Sequence, residues 1–147
     1  MAKPITPLVG CDVFVTDEKG RILLIKRADN GYWGLPGGCQ NLSETPREAA
    51  ERECQEETGF KVEATTLLGV FSSKCYPYEV YPWKDNEFCH IFFAARVVSG
   101  SLQCSDETPE VGWFDLHKLP PLSDGNLPRI EFGFRWLEGR EKLAHFE

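Results

Sequence analysis

The chain has 147 residues, is 41 % hydrophobic and 27 % charged, and carries a formal net charge of −7. That length suits one domain, residues 1–147, around one core, and a composition this rich in apolar and aromatic residues (12 % aromatic) excludes a disordered chain. The acidic balance argues against nonspecific nucleic-acid binding through a broad basic surface, while a small nucleotide stays compatible because bound cations reverse a local field.

In chain order, residues 8–16 (LVGCDVFVT) read as a strand and residues 17–20 (DEKG) as a hairpin-like turn. Residues 21–27 (RILLIKR) are a second strand whose continuous apolar centre predicts burial on both faces. A loop with paired glycines follows at residues 31–38 (GYWGLPGG). Such glycines let backbone approach a ligand closely and free a carbonyl to point inward. A helix is predicted over residues 46–58: Thr45 fits the N-cap, Pro46 the first helical position, Glu48 closes a capping box, and Gly59 fits the stop. Residues 61–73 give one or two strands around Gly69, residues 87–99 another, and residues 111–114 a short last one. A closing helix over residues 126–136 places Leu127, Ile130, Phe134 and Leu137 on a helical period, with Gly133 against it. Strands mixed with helices in this order imply a sheet covered on both sides.

Six scattered cysteines lack any C-x-x-C pair, no apolar run approaches the roughly 20 residues that span a bilayer, and the opening MAKPITP lacks a signal-peptide core. A cytoplasmic protein with reduced thiols and no membrane partner is therefore expected.

The chemistry concentrates on the first helix. Glu53, Glu56 and Glu57 stand at i, i+3 and i+4, so three carboxylates share one face. Like charges at that spacing repel by about 0.2–0.5 kcal/mol per pair, and Arg47 and Arg52 offset only part of this. A divalent cation is the natural reason for such a cluster: Mg²⁺ or Mn²⁺ takes hard oxygen ligands, retained waters and substrate phosphates. A merely solvated Glu-rich helix would look similar on its own, but would not require Gly38 and Glu44 at fixed distances upstream.

Written as G-x5-E-x7-R-E-x-x-E-E-x-G, the array Gly38, Glu44, Arg52, Glu53, Glu56, Glu57 and Gly59 resembles the Nudix box, the signature of the MutT-like Nudix hydrolases. Cys54 stands where the family pattern has a larger apolar residue, and Phe60 fills the apolar position after Gly59. The segments RILLIKR…GYWGLPGG and VGWFDLHKLPPLS are similar to Nudix flanks, so the resemblance covers most of residues 8–123. It implies an α/β fold, an α/β/α sandwich around a mixed β-sheet. It also implies Mg²⁺- or Mn²⁺-dependent cleavage of a nucleoside diphosphate linked to another moiety, by water attack at phosphorus. By the same resemblance Glu53 and Glu57 are the main metal ligands, Glu56 supports them, and a carbonyl of the Gly-Gly pair, with Gly37 preferred to Gly38, joins the shell. Arg52 would hold a glutamate through a charge-assisted hydrogen bond, and Glu44 would orient water.

Family members take the general base from different places; Glu107 and Glu110, in the loop SDETPEVGW, are candidates for it or for an extra ligand. A solvated acidic loop is the alternative. His90 reads as a satisfied core histidine. Substrate is open between a nucleoside triphosphate and an ADP-ribose or nucleotide-sugar type. The segment with Tyr76, Tyr78, Tyr81 and Trp83 would stack a base or pack on its own rings, and Asp124 and Asn126 are placed to read a base edge. The competing function is a Nudix-fold module that senses a nucleotide without cutting it, and a purely structural reading makes the acidic helix a protein-interaction face. The partner is a small nucleotide rather than a nucleic acid, and homodimers are common in the family.

Overall fold

A computed structural model describes residues 6–77 and 86–147; Tyr78, Tyr81 and Trp83 lie outside the described residues. The elements are β1 (Leu8–Phe14), β2 (Ile22–Lys26), β3 (Trp33–Gly34), β4 (Gly37–Cys39), α1 (Pro46–Thr58), β5 (Phe60–Ser72), β6 (Phe88–Gly100), β7 (Glu110–Phe114) and α2 (Asn126–Leu137). One sheet has the order β4-β1-β6-β5 and a second the order β3-β2-β7. In the first, β1 runs parallel to β6, from Leu8 opposite Phe88 to Phe14 opposite Ala94, and antiparallel to β4. The expected turn at residues 17–20 is present, with Gly20 at φ 75° and its N–H bonded to Asp17 O. It does not close a full hairpin: β1 and β2 belong to different sheets, joined by the Thr16–Ile22 bridge and a bond from Leu23 N to Val15 O of 2.9 Å.

Side-chain alternation along β1 explains the layers. Cys11, Val13 and Val15 point one way and pack with Ala49, Ala50 and Cys54 of α1 and with Leu23 and Val62. Phe14 points the other way, into Ile22, Leu24, Leu68, Phe71, Phe92 and the α2 residues Ile130, Phe132 and Phe134. Residues 22–25 of β2 are each at most 2 % exposed, as the unbroken apolar run predicted. Helices thus cover both faces of the strands, which is the expected sandwich. Edge-to-face ring pairs, such as Phe14–Phe134 with centroids 5.2 Å apart, fill the α2 side; burying each such ring contributes about 1.5–3 kcal/mol.

β5 and α2 form where the sequence predicts them, and each contains a glycine whose reason is a distant neighbour. β5 runs unbroken through Gly69, where residue 145 bridges the strand: Val70 N donates to His145 O at 2.8 Å and His145 N to Leu68 O at 2.9 Å. A side chain at Gly69 would meet His145 O at 2.5 Å, so the glycine serves close approach of a neighbouring strand rather than a turn. α2 forms despite Gly133, whose missing Cβ leaves room for the Phe14 ring. Its buried face carries Asn126, Arg129, Ile130, Phe132, Gly133 and Phe134, whereas Leu127 and Leu137 are each 46 % exposed. Among the described residues no helix is long and apolar enough to cross a membrane.

Candidate active site

Helix α1 starts and stops as its sequence dictates. Thr45 Oγ1 accepts from Glu48 N at 3.1 Å, the Glu48 carboxylate accepts from Thr45 N at 3.2 Å, and Gly59 takes the left-handed conformation at φ 82°. The small residues Ala49, Ala50 and Cys54 are fully buried. They let the helix settle close onto the strands, which brings Glu53 and Glu57 over β4. Glu57 Oε1 accepts from Gly37 N at 2.7 Å. A Cβ at Gly38 would lie 2.5 Å from the Glu53 carboxyl carbon and one at Gly37 would lie 2.5 Å from Cys11 O, so the carboxylate requires the second glycine and strand β1 the first.

Arg52 organises the opposite side. Its Nε donates to Glu44 Oε2 at 2.9 Å and its Nη2 to Glu44 Oε1 at 2.7 Å, a bidentate pair. Nη1 donates to Glu53 Oε1 at 2.9 Å and Glu56 Oε2 at 3.3 Å, and Nη2 also reaches Cys39 O at 3.2 Å. Glu44 Oε1 further accepts from Asn41 N at 2.8 Å. The Arg52 hydrogen bonds, aided by Asn41, hold the Glu44 carboxyl at about 2. Both Glu44 oxygens are engaged, so its carboxylate anchors Arg52 and the loop before α1.

The two glutamates facing β4 are shifted in the same direction. Burial, reinforced by the charges of Glu53 and Asp12, holds the Glu57 carboxyl well above the ordinary carboxylate range. Burial also raises Glu53, with Glu56 and Glu107 adding repulsion and Arg52 opposing it. Glu56 is 59 % exposed in its side chain and paired with Arg52. Among the described residues no three His, Cys, Asp or Glu side chains close on one point. The donor set is a carboxylate pair beside a glycine backbone. That suits Mg²⁺, which typically takes one or two carboxylates and completes its shell with water and substrate phosphate. Two partly desolvated carboxylates that repel each other are a place where a cation is favoured.

Glu107 lines a cavity of about 340 Å³ together with Arg27, Asp29, Glu57 and Thr108. Its carbonyl accepts from Ala28 N at 3.0 Å, and Thr108 Oγ1 donates to Glu57 O at 2.9 Å, tying this loop to the end of α1. Glu110, the other candidate, pairs with Lys26 Nζ at 2.9 Å. His90 is a half-buried, partnered histidine, its Nδ1 3.0 Å from Asp12 Oδ2. Asn126 clamps backbone: its Oδ1 accepts from Leu35 N at 2.9 Å and its Nδ2 donates to Ser123 O at 3.2 Å. Three residues that the sequence reading passed over also belong to the site: Asp12 on β1, Arg129 on α2, and Arg27, which holds Asp29 through two hydrogen bonds of 2.9 and 2.6 Å. A charge in the middle of the apolar run LVGCDVF was the available signal for Asp12, since a buried carboxylate needs a partner.

Comparison with known proteins agrees with this arrangement. The family model of the NUDIX domain matches residues 6–134. The chain is 36 % identical over 138 residues to the ADP-ribose pyrophosphatase of Methanocaldococcus jannaschii, covering 90 % of this chain and 76 % of that protein. It is 52 % identical over 99 residues to a MutT-like protein of Streptomyces ambofaciens, covering 67 % of this chain and 58 % of that one. Among solved structures, an ADP-ribose pyrophosphatase from Streptococcus suis superposes with a TM-score of 0.80 at 25 % identity, covering 97 % of this chain and all of that one. The matched domain, the complete glutamate array and the glycine pair beneath it place this chain in the Nudix hydrolase family, enzymes acting on phosphoric anhydride bonds.

Proposed function

We propose that this chain hydrolyses the pyrophosphate of an ADP-ribose-type nucleoside diphosphate, with Mg²⁺ or Mn²⁺ held by Glu53 and Glu57, the Gly37 carbonyl beside them and Glu56 on the outer side. The observation that carries this reading is the convergence of the half-buried Glu57 and Glu53 carboxylates on the Gly37–Gly38 backbone. The choice of substrate class leans on two relatives named as ADP-ribose pyrophosphatases, one of them similar over 90 % of this chain.

When bound, the cation supplies charge neutralisation of the pyrophosphate oxygens and a more acidic water. The chain's own residues do the rest. Arg52, fixed by Glu44, holds Glu53 in one orientation, so the carboxylate is pre-set rather than reorganised during reaction. Arg27, in the cavity shared with Glu57, offers a cation to a substrate phosphate. Glu107, on the wall of that cavity, is the carboxylate placed to take the proton of the attacking water.

The test is a turnover screen with excess Mg²⁺ over ADP-ribose, nucleotide sugars, dinucleoside polyphosphates, and canonical and oxidised nucleoside triphosphates. AMP release from ADP-ribose that disappears in Glu57→Gln is the expected result. Selective cleavage of triphosphates instead would replace the substrate assignment, and no cleavage by folded, cation-bound protein would favour a nucleotide sensor.

A further inference from the structure

The segment between β6 and β7 carries Glu107 and is otherwise open to solvent: among its described residues 101–109, Thr108 alone is buried, at 2 % exposure. The end of α1 explains where that one side chain goes. The last turn, residues 55–58 (QEET), holds two glutamates and no cation, against the sense of the helix dipole. Its terminal carbonyls have no partners within the helix, so donors must come from beyond it. Gly59 N donates to Gln55 O at 3.0 Å, Gln103 N to Thr58 O at 2.8 Å, and Thr108 Oγ1 to Glu57 O at 2.9 Å. A Cβ at Gly59 would meet Ser101 O at 2.3 Å, so the segment lies directly on the helix stop.

The hydroxyls form a directed chain. A carbonyl only accepts, so the single Thr108 hydroxyl proton goes to Glu57 O, and the 2.8 Å contact of Ser105 Oγ with Thr108 Oγ1 runs from serine to threonine. Thr108 N donates back to Ser105 Oγ at 3.1 Å, and Ser105 N to Thr108 O at 3.0 Å, which closes the turn on itself. The Glu107 carbonyl accepts from Ala28 N at 3.0 Å, next to Arg27. The backbone around Glu107 is thus held twice, once to the helix of Glu53 and Glu57 and once to the segment of Arg27. Its side chain lines the cavity that Glu57 and Arg27 share, and its charge is felt at Glu53. Water would satisfy Glu57 O equally well. The residue adjoining Glu107 does so here, which fixes that carboxylate relative to the helix.

We propose that Thr108 is a positioning residue: its hydroxyl locks Glu107 in register with the last turn of α1, so that Glu107 and the glutamate pair keep one spacing. This rests on the pyrophosphohydrolase reading, in which Glu107 takes the proton of the attacking water.

Two readouts on the full chain test it. Amide exchange at Ala28, followed by NMR, reports the tie without any substrate. Thr108→Val keeps the shape and loses both hydrogen bonds of the hydroxyl, so Ala28 exchange should speed about tenfold or more, and Thr108→Ser should restore it. With the substrate that the turnover screen selects, kcat should fall roughly 10–100-fold in Thr108→Val at a KM within about twofold of wild type. Thr108→Ser should recover most of that loss. In a Glu107→Gln background the same substitution should cost nothing further, because a displaced base and a missing base are one loss. The Mg²⁺-induced rise in melting temperature should keep its wild-type size in Thr108→Val, since the Glu57 carboxylate retains its bond from Gly37 N. Ser105→Ala removes only the exposed end of the chain, so it tests the idea even where Thr108→Val unfolds; both readouts should move the same way, by about threefold. Unchanged Ala28 exchange, a kcat loss that persists beside Glu107→Gln, or a smaller Mg²⁺ shift overturns the proposal. Full activity of Glu107→Gln, or a wild-type protein that cleaves nothing, would instead sink the functional reading, with Ala28 exchange still deciding whether Thr108 sets the place of Glu107.

Discussion

Arg52 bonds Glu44, Glu53, Glu56 and the Cys39 carbonyl at once, a span that only a planar guanidinium covers. Arg52→Lys keeps the charge and loses the fork. Its expected effect is a fall in kcat of roughly 10–100-fold, the usual scale for a group that orients a metal ligand, with little change in melting temperature; steady-state kinetics beside a thermal melt checks it. Glu44 gives the pH prediction. Its folded value of about 2 lies below the ordinary 4.5, so its stabilisation is present above 4.5 and is lost as pH falls through about 2. Glu44→Gln should flatten that part of a melting-temperature profile against pH, and an unchanged acid limb would contradict the Arg52–Glu44 anchor. These residues were legible because a helical period converts spacing directly into a shared face. Asp12 and Arg129 were not, because they meet across 117 positions and no local pattern pairs them.

At the scale of elements, α1 was readable to its last residue, since its cap, its proline and its stop are local chemistry. β5 and α2 were harder because each contains a glycine whose reason is a distant neighbour, His145 for Gly69 and Phe14 for Gly133. Alanine in a helix interior normally stabilises relative to glycine by about 1 kcal/mol. Gly133→Ala is expected to do the opposite, destabilising by about 1–3 kcal/mol through overpacking against the Phe14 ring, as read from urea unfolding. Gly38→Ala should separate activity from stability. The added methyl displaces the Glu53 carboxylate, so turnover should fall about 100-fold or more while the unfolding midpoint moves much less.

For the whole molecule, the glutamate pair is a site of mutual repulsion that a cation relieves, so binding should raise stability by mass action. Saturating Mg²⁺ at about 100 times its dissociation constant corresponds to about 2.7 kcal/mol, visible as a higher melting temperature that Glu57→Gln abolishes. No shift in the wild-type protein would favour the acidic helix as a mere interaction face. The parallel pairing of β1 with β6 has a kinetic consequence. α1 folds from contacts along its own length, but Asp12 and His90 face each other only after strands roughly eighty residues apart in sequence come into register. Closing a loop of that size is slow compared with forming a helix. During refolding, the helix that carries the glutamate pair should therefore form well before Asp12 and His90 meet, and recovery of catalysis should trail recovery of helical structure.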